Sequence, residues 1–366
     1  MESVDAVVVG GGCVGTSVAY HLAAAGCTDV ILLEGAGLGS GSTGKAAGGI
    51  RLQHGDLLNT QLALRSLAEF SRFEQLIGVP IGFRQVGYLF LLDNAADLAR
   101  FREAIATQRS IGIPSEELDV HAAHELVPQL AIDDLVAATY CPLDGYATPE
   151  AVVQGYAAAA RRMGVAVRAG SRVTGIRSSQ GRVTGVDTAR GFIATRSVVC
   201  AAGVGSAALG ATIGVDLPVR GQARRIFYSN QHGGIRDDAP LTVDFSSGFY
   251  FRREGQGLIF AGPQWELEAL SAPAVHRLPL IADLPIVSSW HGDYDVSPDH
   301  NGMIGGSQVE GFYYATGFSG HGFQLSPAVG EHLAELVTGR EPTIDLTALS
   351  AERFSTGVRR VEHIVI

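Results

Sequence analysis

Short apolar blocks alternate with amphipathic stretches from the first residues onward. Ala6-Val7-Val8-Val9 is wholly apolar, the pattern of a strand buried on both faces of a parallel sheet. Val14 to Ala25 reads as an Ala-rich helix closed by Gly26, and Asp29 to Glu34 as a second buried strand that ends on an acid. Strand, helix and strand make a βαβ unit. Residues 35–49 form a loop rich in glycine, serine and threonine, and Asn59 to Ile77 carries Leu62, Leu67, Phe70, Phe73 and Ile77 at helical spacing. Residues 79–143 change texture, with a strand expected at Tyr88 to Leu92 and an amphipathic helix at Ala95 to Ser110. Thr148-Pro149 supplies an N-cap and a first-turn proline for a helix ending at Gly164. Strands punctuated by Gln180-Gly181 and Arg190-Gly191 lead to Ser197-Val198-Val199-Cys200-Ala201-Ala202-Gly203. Residues 218–288 read as β-rich, with Arg225 to Tyr228, Phe249 to Arg252 and Leu258 to Ala261 as strands, and Phe312 to Val337 returns to strand, Gly-rich turn and helix.

Between the first strand and the first helix stands Gly10-Gly11-Gly12-Cys13-Val14-Gly15, a G-x-G-x-x-G. Gly10 permits the tight turn, Gly12 lets the backbone approach a pyrophosphate, and Gly15 lets helix and strand pack closely, while free N–H groups at the helix start face the anion. Glu34, 19 residues past Gly15, is placed to accept hydrogen bonds from an adenosine ribose. A Gly-rich turn without a ligand is the bland reading, and the strand, helix and terminal acid together weigh against it. FAD and NAD both remain open on this motif. The expected architecture is α/β: a discontinuous Rossmann-like dinucleotide-binding domain of residues 1–80, 145–217 and 289–366, interleaved with a β-rich α+β substrate domain of residues 81–144 and 218–288.

Composition agrees with a small-molecule enzyme. A length of 366 residues, 46% hydrophobic and 17% charged, suits two interwoven folded units. A net charge of -10 without a long basic run argues against a nucleic-acid surface. Cys13, Cys27, Cys141 and Cys200 lack metal-ligand spacing and read as reduced thiols, and no metal site is expected among the histidines. Met1-Glu2-Ser3-Val4-Asp5 has no basic region, and no apolar run spans a bilayer, so a cytoplasmic, membrane-free protein is expected.

The loop Gly39 to Arg51 (GSGSTGKAAGGIR) and the tail Ala315 to Phe323 (ATGFSGHGF), with Trp290 to Asp299 and Ala201-Ala202-Gly203, resemble the D-amino-acid oxidase-like superfamily of FAD-dependent amine oxidoreductases. The closer resemblance is to sarcosine oxidase, glycine oxidase and the β subunits of proline dehydrogenase, and it covers nearly the whole chain. It implies FAD, with Glu34 on the ribose, Ser42 and Thr43 crossing the pyrophosphate and ribityl, and Gly320, His321, Gly322 and Phe323 supporting the flavin pyrimidine edge. Gly10, Gly12, Cys13, Val14, Gly15, Lys45, Ala46, Val173, Ala202, Gly203, Gly317 and Gln324 complete the expected cofactor contacts.

Four residues are the candidates for chemistry. Lys45, the only lysine of the chain, is a compact charge that near a flavin stabilises the reduced anion or positions a carboxylate; a solvated surface lysine is its alternative. Arg51 is the carboxylate anchor implied by the resemblance, through two parallel hydrogen bonds; a structural salt bridge is its alternative. Tyr250 faces away from Phe249 and Phe251 by strand alternation and is the favoured partner of the anchor, with a core tyrosine as the other reading. His321, between two glycines, supports the ring or serves as a structural histidine.

Departures from the family narrow the picture. Where glycine and D-amino-acid oxidases carry an arginine after the Trp-x-Gly, this chain has Asp293 and Tyr294, which favours Arg51 as anchor. No cysteine lies within 90 residues of Gly292, so the FAD is expected to be non-covalent. Gln324 and an apolar residue near Ile259 stand where sarcosine oxidases carry lysines, which leaves oxygen or another electron acceptor open. The resemblance implies hydride transfer from the carbon beside the nitrogen of a secondary, N-alkyl or cyclic amino acid, or a related amine, to flavin N5, giving an imine that hydrolyses. The competing readings are oxidation of a 2-hydroxy acid, which needs a base such as His54 or His321, and a flavin-bearing electron-transfer subunit of an oligomer or larger complex.

Overall fold

A computed structural model describes residues 2–357 and 359–365. Its centre is a six-stranded sheet in the order Met303–Gly306, Phe312–Thr316, Ser197–Cys200, Ala6–Val9, Val30–Leu33, Ala166–Arg168. All neighbours run parallel except Met303–Gly306, which is antiparallel at the edge. Ala6–Val9 and Val30–Leu33 are buried along their whole length, and alternation divides them between two cores. Ala6, Val8, Val30 and Leu32 pack into a cluster with Val18, Leu22 and Val329 of the helices, whereas Val7, Val9, Ile31 and Leu33 pack with Ile176, Val186 and Ile193 of a second sheet on the opposite face. Each valine, leucine or isoleucine among them contributes about 1.5–3 kcal/mol by leaving water, which accounts for the continuous apolar character of both strands.

The first helix, Cys13–Ala24, lies against the helix Gly322–Val337, more than 300 residues away. Their backbones approach so closely that a Cβ on Gly330 would overlap Ser17. The first and last thirds of the chain are thereby in direct contact. The second sheet has four strands, Glu2–Ser3, Gly191–Ala194, Arg182–Thr188 and Val173–Ser179.

The third sheet has eight strands, in the order Ile286–Val296, Arg220–Ser229, Gly257–Ala261, Phe249–Glu254, Leu241–Asp244, Tyr88–Leu92, Ala137–Cys141, Glu116–Leu118. Thus the strand expected at Tyr88 to Leu92 pairs on one side with Ala137–Cys141 and on the other with Leu241–Asp244, more than 140 residues later. A two-stranded ribbon, Gly49–Ile50 with Gly145–Tyr146, connects the loop after residue 35 to this part of the molecule.

Several elements differ from expectation. The helix expected over Asn59 to Ile77 is two helices, Leu57–Phe70 and Phe73–Ile77. At the break the Leu67 carbonyl accepts both the Ser71 backbone N–H at 2.9 Å and the Ser71 hydroxyl at 2.7 Å. Asp56 caps the first of the two by accepting from Asn59 N–H. Pro149–Arg162 begins after Thr148 as expected, but the Thr148 side chain makes no capping hydrogen bond. Within the stretch read as β-rich lies a helix, Leu267–Arg277, that contains Pro273.

Candidate active site

Two adjoining cavities occupy the ground between the six-stranded and eight-stranded sheets. The larger, about 550 Å³, runs over the Gly10 to Val14 turn, past Glu34, Ser42, Thr43 and Val173, to Ala202, Gly203 and Gly322. The smaller, about 70 Å³, is lined by Arg51, Tyr88, Tyr250, Ser319, His321 and Gln324 among others. Ala46, Tyr294, Gly320 and Phe323 border both, so the two share a wall.

At the first turn, Gly10 has φ +109°, and a Cβ there would overlap the Ala201 carbonyl oxygen; a Cβ on Gly15 would overlap the carbonyl oxygen of Gly10. Glycine is demanded at both by fit. Gly15 accordingly lines no cavity and acts as a packing residue. Glu34 accepts from Gly11 N–H on one carboxylate oxygen and from Ala36 N–H on the other, each at 2.7 Å. Each oxygen retains a lone pair toward the cavity. Thr43 Oγ1 accepts from Cys13 N–H at 3.1 Å, and Ser42 Oγ donates to the Asp293 carbonyl at 2.5 Å, which ties the Ser/Thr loop to the helix start on one side and to the long strand on the other. A groove of this length, with a helix N-terminus at its floor and an acid at the second strand's end, fits a dinucleotide such as FAD.

Arg51 is 2% exposed, and among the described residues its guanidinium makes no ion pair. Its side chain is held by uncharged groups: Nη1 donates to the Gln53 carbonyl, while Nη2 donates to the Ile364 carbonyl at 2.6 Å and to His321 Nε2 at 2.9 Å. Burial lowers its pKa below the ordinary guanidinium value, opposed by the fields of Tyr88, Glu362 and Asp144. A buried cation that lacks a carboxylate partner and borders a cavity has the chemistry to pair with an anion. Tyr250, 9% exposed, has no hydroxyl partner among the described residues, and burial pushes its phenol well above the ordinary value, so it stays neutral. Tyr88 and Tyr294 share that wall, and burial raises both phenols.

His321 is buried, and burial with the Arg51 charge and neighbouring His54 holds its pKa well below the ordinary value. The two imidazoles meet edge to face at 5.3 Å between centroids. Gln324 accepts from Arg51 N–H through Oε1 at 3.0 Å, which aims its amide nitrogen at His54 Nε2, 3.4 Å away. Leu52 N–H and the Gln53 amide donate to Asp144 at 2.8 and 3.1 Å, so this buried carboxyl fixes the chain beside Arg51; burial raises its pKa to about 7.

Lys45 and Gly317 stand outside this grouping. The Lys45 side chain is exposed and lines neither cavity, while its carbonyl accepts from Trp290 Nε1 at 3.1 Å. The stem of the side chain packs against the strand at Gly292, where a Cβ would overlap Lys45 Cβ and Cγ. Gly317 lines neither cavity but donates its N–H to Asp295 at 2.7 Å. Asp295 itself borders the larger cavity, with burial raising its carboxyl to about 6. Asp295, Tyr88, Tyr294 and Asp144 were not named as candidate site residues; Tyr294 and Asp295 lie in the Trp290 to Asp299 segment that carries the resemblance, whereas Tyr88 and Asp144 lie in no motif.

Comparison with known proteins accords with this geometry. The profile described as FAD dependent oxidoreductase matches residues 5–336. The chain is 28% identical to rat (Rattus norvegicus) dimethylglycine dehydrogenase, mitochondrial, over 96% of its own length and 45% of the relative's. It is 30% identical to 4-methylaminobutanoate oxidase (formaldehyde-forming) of Paenarthrobacter nicotinovorans, over 96% of this chain and 46% of that one. The chain thus spans about half the length of these curated relatives. Among solved structures, L-proline dehydrogenase from P. horikoshii superposes with a TM-score of 0.91 at 30% identity, covering 98% of this chain and 100% of the other. The chain belongs to the FAD dependent oxidoreductase family.

Proposed function

We propose that the protein oxidises the carbon–nitrogen bond of a secondary, N-alkyl or cyclic amino acid, with the larger cavity holding FAD non-covalently and the smaller one holding the substrate. The carrying observation is Arg51: a buried guanidinium without an ion pair, at the border of a cavity that shares Ala46, Tyr294, Gly320 and Phe323 with the dinucleotide groove. The names of the similar proteins, which act on dimethylglycine, 4-methylaminobutanoate and L-proline, support substrates that pair a substituted amine with a carboxylate.

FAD, when bound, supplies the hydride acceptor. Arg51 binds the substrate carboxylate with its free hydrogens, and the neutral Tyr250 hydroxyl donates a further hydrogen bond to it. The shared wall then holds the carbon beside the nitrogen toward the larger cavity. No side chain has to take a proton if the amine binds neutral. That favours an amine over a 2-hydroxy acid, because the His321 Nε2 lone pair is occupied by Arg51 and His54 Nε2 faces the Gln324 amide. Lys45 has no part in this reading. Cys13, the cysteine bordering the larger cavity, lies at the helix start under the Gly-rich turn, which supports non-covalent FAD.

Anaerobic titration of the yellow holoenzyme with amino acids, N-methyl amino acids, proline and 2-hydroxy acids tests the reading. Bleaching of the flavin band by the substituted amines is expected; bleaching by 2-hydroxy acids alone defeats it. Acid precipitation is expected to release the colour into the supernatant.

A further inference from the structure

The Glu34 carboxylate joins two parts of the larger cavity's lining. One oxygen accepts from Gly11 N–H in the glycine turn, the other from Ala36 N–H on the side away from it. On that second side the cavity is lined by Gly35, Ala36, Arg172, Val173 and Thr174. Three backbone hydrogen bonds fix the turn that carries Arg172 there: the Arg168 carbonyl accepts from Glu34 N–H at 2.9 Å, the Glu34 carbonyl from Ser171 N–H at 2.7 Å, and the Ala36 carbonyl from Gly170 N–H at 3.0 Å.

Arg172 then lies over Gly35. A Cβ on Gly35 would stand 3.5 Å from Arg172 Cβ and Nε and 3.6 Å from Cζ, so a longer side chain at 35 would compete for the place of the guanidinium. The Arg172 side chain is exposed, and among the described residues it makes no ion pair. Glu34 is adjacent but both its oxygens are turned to backbone N–H groups. A charged, planar group thus borders the cavity without a partner in the fold.

In the adenosine half of FAD the ribose stands between phosphate and base. With the phosphate at the glycine turn and the ribose at Glu34, the base falls to the side that Arg172 borders. A guanidinium is planar and weakly hydrated, and it stacks on aromatic faces. We propose that Arg172 covers the adenine ring of the bound FAD, with Gly35 leaving the room for it. This rests on FAD in the larger cavity and is independent of the substrate reading.

The test is the dissociation of FAD from the holoenzyme, read from the rise of flavin fluorescence on serial dilution, in the natural protein and in Arg172→Ala, Arg172→Lys and Arg172→Tyr. Circular dichroism of each variant checks the fold, and measurements at about 0.05 and 0.5 M NaCl separate stacking from pairing with phosphate. Arg172→Ala is expected to weaken FAD binding about five-fold or more, by the same factor at both salt concentrations, and Arg172→Tyr, planar but uncharged, to recover most of the loss. Binding by Arg172→Ala within about two-fold of the natural protein overturns the proposal and makes Arg172 a solvated side chain. A loss that vanishes at high salt, and that lysine restores where tyrosine does not, also overturns it by assigning Arg172 to a phosphate. A natural protein that binds no flavin removes the FAD site itself, and this proposal with it.

Discussion

Arg51 donates from Nη2 to Nε2 of His321 at 2.9 Å, and this one contact assigns the imidazole its tautomer. A guanidinium only donates, so Nε2 is unprotonated and the ring proton sits on Nδ1. His321 is therefore a neutral support for the Arg51 guanidinium. An imidazole and two carbonyls steady that guanidinium without neutralising it.

Replacing Arg51 by lysine keeps the charge and discards the planar fork. The kcat/KM of Arg51→Lys for amino-acid substrates is expected to fall about 10²- to 10³-fold, as when one partner of a buried hydrogen-bonded pair is lost. Stopped-flow reduction of the flavin measures it, and a loss under ten-fold speaks against carboxylate binding there.

Tyr250→Phe removes one neutral donor and little volume. A loss of about ten-fold in kcat/KM is expected, the worth of a single hydrogen bond, with an unchanged flavin spectrum. A core tyrosine would instead show unaltered kinetics.

A methyl group on Gly10 meets the Ala201 carbonyl in a backbone conformation that favours glycine. Gly10→Ala is expected to purify with little or no yellow colour, as read from the ratio of flavin to protein absorbance. Full retention of FAD would separate the Gly-rich turn from cofactor binding.

Asp144 carries a pH dependence of stability. Burial raises its carboxyl from 3.8 to about 7. Below about pH 4 the group is protonated in both folded and unfolded chains; between about pH 4 and 7 only the unfolded chain ionises, so its contribution is lost as pH rises through that window. The difference of about three units corresponds to roughly 4 kcal/mol. Urea unfolding of the natural protein and Asp144→Asn at pH 4 and pH 8 should diverge by about that amount, and parallel profiles would disprove it.

Lys45→Ala tests the outward placement of the sole lysine. Anaerobic flavin reduction is expected to change less than about three-fold, as for an exposed substitution distant from the reacting groups. A loss of a hundred-fold would bring the ammonium into the site.

Local signals carried well. The strand at Tyr88–Leu92 and the helix at Ala95–Ser110 have the expected bounds, because apolar periodicity there has no competing turn residue. The helix Leu267–Arg277 was masked by Pro273, which sequence reading takes for a breaker although Leu270 and Ala274 bury one of its faces. The break between Leu57–Phe70 and Phe73–Ile77 leaves the apolar spacing of Leu67, Phe70, Phe73 and Ile77 intact, so that spacing does not register it.

By itself the sequence determined the βαβ start, the glycines of the turn, the acid at Glu34 and the candidacy of Arg51, because each is a short-range consequence of residue type: an apolar run buries, a glycine permits, an arginine pairs. Tertiary structure alone decided that Tyr88, Tyr250 and Tyr294, from three strands of one sheet, border one cavity with Arg51, that Lys45 is exposed, and that the Ile364 carbonyl meets the Arg51 guanidinium. Those outcomes depend on which distant strands pair and in what register. Pairing is settled by the packing of the whole core and not by the residues flanking any one of these side chains.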